Sequence, residues 1–121
     1  MADEVSLFCI SAFRKPRLIT LSTRVFTHEN RKKFRRLCFA DTRTIFIVPR
    51  TRGARSLADN PRAEDFYRLV SSRGPDMPFM GTIFVLSYTQ TERGSITLKD
   101  INKSTQQYVN NYMTFYESLE M

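Results

Sequence analysis

Residues 5–26 read VSLFCISAFRKPRLITLSTRVF: two apolar runs around the polar break Arg14-Lys15-Pro16-Arg17. The runs 5–13 and 18–26 are rich in β-branched and aromatic residues, and the break holds a proline that favours a turn. In the second run Ile19, Leu21, Thr23 and Val25 alternate with Thr20, Ser22 and Arg24, the period of a half-buried strand. A break this short returns the chain beside itself, so the pair predicts a hairpin and, with it, antiparallel pairing.

Working outward, residues 81–89 (GTIFVLSYT) and 95–99, joined by Thr91-Glu92-Arg93-Gly94, predict a second hairpin. Residues 44–49 (TIFIVP) form a continuous apolar run ended by Pro49, as expected of a strand buried on both faces. Asn60-Pro61 predicts a helix start, with Asn as cap and Pro at the first helical position. Ala63, Phe66, Tyr67 and Val70 follow at helical spacing, Leu69 widens the stripe, and Arg73-Gly74 predicts the stop. A terminal helix over 104–119 carries Tyr108, Val109, Tyr112, Met113, Tyr116 and Leu119 on one face, with Asp100 or Ser104 as candidate caps and Phe115 off the stripe. Two readings compete between the first hairpin and residue 44. One is a helix capped by Thr27, with Phe34, Leu37 and Cys38 as its apolar stripe; the other is a strand over 35–40.

The expected fold class is α+β: an antiparallel sheet of about five or six strands with two or three helices packed on it. At 121 residues the chain has room for one domain, 1–121, with one core. Residues 50–60 (RTRGARSLADN) have no periodicity and are expected to be a mobile basic loop.

Hydrophobic residues make up 41% and charged ones 26%, too apolar for a disordered basic tail. No stretch approaches the roughly 18 apolar residues of a membrane span. The acidic opening Met-Ala-Asp-Glu is unlike a secretory leader, so the expected location is cytoplasmic, nuclear or both. Cys9 and Cys38 sit among apolar neighbours and read as buried thiols. With one histidine they supply no zinc spacing.

No catalytic pattern stands out. The single histidine, His28, adjoins Glu29, and sequence neighbours do not face each other on a helix. Gly53, Gly74, Gly81 and Gly94 stand apart and build no phosphate-cradling loop. The expectation is a protein that is not an enzyme and carries no cofactor or metal.

Charge is more informative. Residues 1–74 hold 16 Lys+Arg against 7 Asp+Glu, and residues 75–121 hold 3 against 5. Arg31, Lys32, Lys33, Arg35 and Arg36 crowd into six positions with only Glu29 nearby. Such a cluster is uncompensated by i,i+4 pairing, and it also resembles a nuclear import signal. Arg50, Arg52 and Arg55 in the loop and Arg14, Lys15 and Arg17 in the first turn extend it. Cations at this density predict a polyanionic partner. The leading expectation is a small basic nucleic-acid-binding protein, acting on RNA through phosphate contacts, as a viral accessory or regulatory protein would. The alternatives are a viral matrix or assembly protein on an acidic membrane surface, and an interaction module for an acidic protein. The aromatic C-terminal helix offers a surface for homo-oligomer formation. Phe8, Phe13, Phe46, Phe84 and Tyr88 lie on expected strands, where core packing is the ordinary role and base stacking the functional one.

Overall fold

Six strands, all paired antiparallel, form one sheet with two helices on it in a computed structural model that describes residues 4–26, 36–49 and 57–119. The elements are β1 (Glu4–Ile10), β2 (Arg17–Ser22), a 3-10 turn (Thr23–Phe26), β3 (Arg36–Ala40), β4 (Thr44–Val48), α1 (Pro61–Ser71), β5 (Ile83–Gln90), β6 (Ile96–Lys99) and α2 (Lys103–Leu119). The strand order is β2-β1-β5-β4-β3. β6 pairs Ser87–Gln90 on the edge of β5 that β1 meets at Ile83–Val85. The expected α+β class is what the chain adopts.

Register decides which face each side chain meets. Leu18, Phe8, Val85, Phe46 and Cys38 line up across five strands, and this row lies under the helices. Phe8, Ile10, Phe46, Val48, Ile83 and Val85 pack there against Ala63, Phe66, Tyr67 and Val70 of α1, Val109 and Tyr112 of α2, and Phe79. The rings interlock edge to face: Phe46 on Tyr67 at 5.0 Å, Phe8 on Phe66 at 5.1 Å, Phe66 on Tyr112 at 5.4 Å. Each such pair adds about 0.5–1.5 kcal/mol to the burial of its rings. The opposite face buries Val5, Leu7, Cys9, Ile45, Ile47 and Leu86. All five residues of β4 are buried, which is why its sequence runs apolar without alternating.

Three local readings differ from the structure, and one open choice is settled by it. β1 ends at Ile10 and β2 at Ser22, so Phe13 lies in the turn and Thr23–Phe26 coils. Of the two readings open before residue 44, the strand over 35–40 is the one the chain takes from Arg36 to Ala40, in place of a helix with Leu37 and Cys38 on its stripe. Pairing with β4 through the turn Asp41–Arg43 satisfies its backbone, and tertiary pairing overrides a short local pattern. α1 closes at Ser72, left-handed at φ 56° with its N–H donating to the Arg68 carbonyl, one turn-residue pair before Gly74. α2 is capped by neither Asp100 nor Ser104. Asn102 accepts the Thr105 N–H at 2.8 Å, while Asp100 accepts the Ser6 N–H of β1 at 2.7 Å.

Both cap residues also hold the layers together. Asn60 is fully buried. Its Oδ1 accepts the Ala63 N–H, and its Nδ2 donates to the carbonyls of Ile10 and Gly81. The Asn102 side chain donates to the Thr42 carbonyl, and its backbone N–H donates to the Ser87 hydroxyl oxygen. Thr42 and Arg43 sit at φ 60° and 57°, a left-handed pair that turns β3 into β4.

Candidate nucleic-acid interface

The turn from β1 to β2 is built locally. The Ser11 hydroxyl oxygen accepts the backbone N–H groups of Phe13 (3.1 Å) and Arg14 (3.3 Å), a side chain closing the turn in place of backbone. Pro16 is buried and fixes the backbone where the chain enters β2. Arg14, Lys15 and Arg17 are exposed.

The helices pin this turn at two points. Arg62, in the first turn of α1, donates from Nη1 to the Arg14 carbonyl at 2.9 Å, and its guanidinium lies 4.9 Å from the Tyr116 ring centroid. Lys15 Nζ stands 3.5 Å from Glu117 Oε1 near the end of α2. The Tyr112 hydroxyl donates to the Arg62 carbonyl at 3.2 Å. Arg14 and Lys15 are thereby held beside the helices, while Arg17 opens β2 opposite Cys9, on the sheet face away from them. Glu117 offsets part of that charge; Asp65 in α1 is 3.2 Å from Arg68. The Lys15–Glu117 pair is exposed and worth little, so Lys15 can exchange a carboxylate for a phosphate at small cost.

Two titrating groups register the environment. Burial pushes the Tyr112 hydroxyl up to about 12, with Asp65 and Tyr116 adding to the rise and Arg62 opposing it. Burial also raises the Cys9 thiol, and Arg17, its partner across β1 and β2, pulls it back. Cys9 and Cys38 lie on opposite faces of the sheet and form no disulfide; Cys9 is buried as expected, and Cys38 only partly so.

Of the eleven cations singled out from the sequence, Arg14 and Lys15 lie on this turn and Arg17 at its exit into β2. Arg31, Lys32, Lys33, Arg35, Arg50, Arg52 and Arg55 lie outside the described residues, as do His28 and most of the loop 50–60. Arg36 opens β3, and its side chain lies outside the described residues. The aromatics divide. Phe8 and Phe46 are core, Phe84 and Tyr88 are half-buried, and Phe13 is 81% exposed. Arg62 and Tyr116 escaped sequence reading, because one looked like a helix start and the other like core stripe. Arg-Ala beside a Pro-started helix carries no sign of the loop it will hold.

Among the described residues no three of His, Cys, Asp and Glu gather as a metal would require. No described helix is long and apolar enough to cross a membrane.

No family model matches the chain, and no curated protein matches it in sequence. Its fold is similar to part of the crystal structure of the small RNA methyltransferase HEN1, with a TM-score of 0.57 and 11% identity. The match covers 90% of this chain and 16% of that one. At that identity the likeness is one of fold.

Proposed function

We propose that this chain binds nucleic acid, with RNA as the polyanion to test first, through phosphate contacts made by the β1–β2 turn. One observation carries the reading: exposed Arg14 and Lys15 stand on a turn that Ser11 and Arg62 hold in place, with exposed Arg17 where that turn enters β2. A held turn pays less ordering entropy on binding than a loose one. The neighbour of similar fold is described as acting on small RNA, which fits the choice of polyanion. Arg31, Lys32, Lys33, Arg35 and Arg36, with Arg50, Arg52 and Arg55, enter the reading on charge alone. In this reading the chain is a binder rather than an enzyme, working in the cytoplasm or nucleus where RNA is found.

The test is a salt titration of binding to labelled RNA, with acidic and neutral vesicles in parallel. Four phosphate contacts to a single strand give a log–log slope of about −3, and contacts from the remaining cations steepen it. Arg14→Glu with Arg17→Glu should cut affinity at least tenfold and flatten the slope while the circular dichroism holds. Parent protein that ignores RNA at physiological salt would overturn the reading, and binding confined to acidic vesicles would replace it with a membrane role.

A further inference from the structure

Among the described residues Phe13 is the most exposed of the large apolar side chains, at 81%. It directly precedes Arg14 and Lys15, and Arg17 follows within four residues. An exposed phenyl ring costs free energy unless something covers it, since full burial of such a ring is favourable. Phe13 touches no other ring among the described residues. Its backbone is held all the same: its own N–H is taken by Ser11 Oγ, and the next carbonyl, of Arg14, by Arg62. The ring thus stands on a fixed base, next in the chain to the exposed Arg14 and Lys15.

An aromatic pair on the sheet with a cation nearby is arranged differently. Phe39 and Tyr88 meet edge to face at 5.2 Å on the sheet face away from the helices, with Arg43 5.7 Å from the Tyr88 ring. Those rings already spend part of their surface on each other. Phe13 leaves its ring faces open.

A flat, open ring beside closely spaced cations suits a nucleic acid whose bases are unstacked. Every base has a π face, so stacking needs no particular sequence. A duplex keeps its bases inside and offers only phosphates and groove edges. Lipid docking draws on contiguous apolar area, and here only Leu18, half-exposed on β2, stands near Phe13 in sequence. Resting on the phosphate-binding reading above, we propose that Phe13 stacks on an unpaired base while Arg14, Lys15 and Arg17 hold the flanking phosphates, so that the chain prefers single-stranded to double-stranded RNA.

The chain has no tryptophan, so Phe13→Trp introduces a single indole as a reporter. Full-length parent, Phe13→Ala and Phe13→Trp are titrated with a labelled single-stranded oligouridine and with a labelled RNA duplex. Phe13→Ala should lose about five- to a hundredfold in affinity for the single strand and little for the duplex, with unchanged thermal stability. Phe13→Trp should retain the parent's affinity, and its emission should be quenched in step with oligouridine binding. Parent and Phe13→Ala binding the single strand alike, each with a steep salt dependence, would overturn the stacking role and leave the phosphate reading standing. An equal loss on duplex and single strand would overturn the preference. Emission that shifts with acidic vesicles and stays constant with oligouridine would assign Phe13 to a lipid surface instead. A parent that binds neither RNA overturns both readings together.

Discussion

The side-chain amide of Asn60 donates to the main-chain carbonyl of Ile10 at 2.9 Å, tying the start of α1 to the end of β1, just before the turn that carries Phe13 and the cations. The same amide nitrogen reaches the Gly81 carbonyl at 2.7 Å, and the amide oxygen caps α1. One buried side chain thus sets where helix, strand and turn meet.

Replacing Asn60 separates its two roles. Asn60→Ala loses the cap and leaves two carbonyls without a donor, for about 3 kcal/mol. Asn60→Asp keeps a capping oxygen but aims a carboxylate at two carbonyl oxygens, and should be at least as destabilising at neutral pH. Urea unfolding of both variants decides the matter. An Asp variant near parent stability would mean that capping alone matters.

Thr44 and Thr105 hydroxyls meet at 2.6 Å with both residues fully buried, joining β4 to the first turn of α2. Thr44→Val and Thr105→Val should each cost about 1 kcal/mol, because each takes the shortest contact from a buried hydroxyl and leaves it Thr42 Oγ1, 3.1 Å from Thr44 and 3.5 Å from Thr105. The double variant should cost less than the two together, with a coupling of about 1 kcal/mol. Additive losses in chemical denaturation would show that the hydroxyl contact contributes nothing.

Tyr112 ties α2 to Arg62, and its hydroxyl titrates at about 12, mainly because it is buried. An unfolded tyrosine ionises near pH 10. Above that pH the unfolded chain releases this proton while the folded one keeps it, so the folded state loses stability as pH rises from about 10 towards 12. Below pH 10 the group contributes no pH dependence. Tyr112→Phe should flatten the stability profile over that window, at a constant cost of about 1 kcal/mol for the lost hydrogen bond. Ultraviolet titration of the parent should show one of the five tyrosines ionising late. A profile unchanged by Tyr112→Phe would place the shift elsewhere.

Arg62 supports the interface as well as adding charge. Arg62→Met keeps the packing of the stem but loses the bond to the Arg14 carbonyl and the contact with Tyr116. Stability should fall by no more than about 1 kcal/mol. RNA affinity should fall further than in Arg68→Met, which removes one cation, near Asp65, from the same helix. Equal effects of the two substitutions on RNA binding would reduce Arg62 to a point charge.

Much of the architecture was legible because its signals are local. Alternation in 18–22, the unbroken run at 44–48, and the Asn-Pro start of α1 with its stripe each state their structure within a few residues. β3 was not legible in this way. Leu37 and Cys38 suit a helix stripe or a strand equally, and the partner that settles it, β4, pairs across a turn in which Thr42 and Arg43 take left-handed conformations no glycine announces. The caps missed for a similar reason. Asn102 prevails over Asp100 because Asp100 is held by the Ser6 N–H of β1, a contact between residues far apart in the chain.

The sequence by itself determined the fold class, the places of both hairpins and both helices, and the excess of positive charge in the first two-thirds of the chain. These depend on periodicity, turn residues and composition, which act over a turn or two of chain. Only the tertiary structure decided that Phe13 faces solvent while Phe8 and Phe46 fill the core, and that Arg62 holds the turn bearing Arg14, Lys15 and Arg17. Those outcomes turn on β1 ending three residues before Phe13 and on α1 starting beside that turn. Burial and convergence belong to the whole packed chain, because which face of a side chain meets water is set by elements distant in sequence.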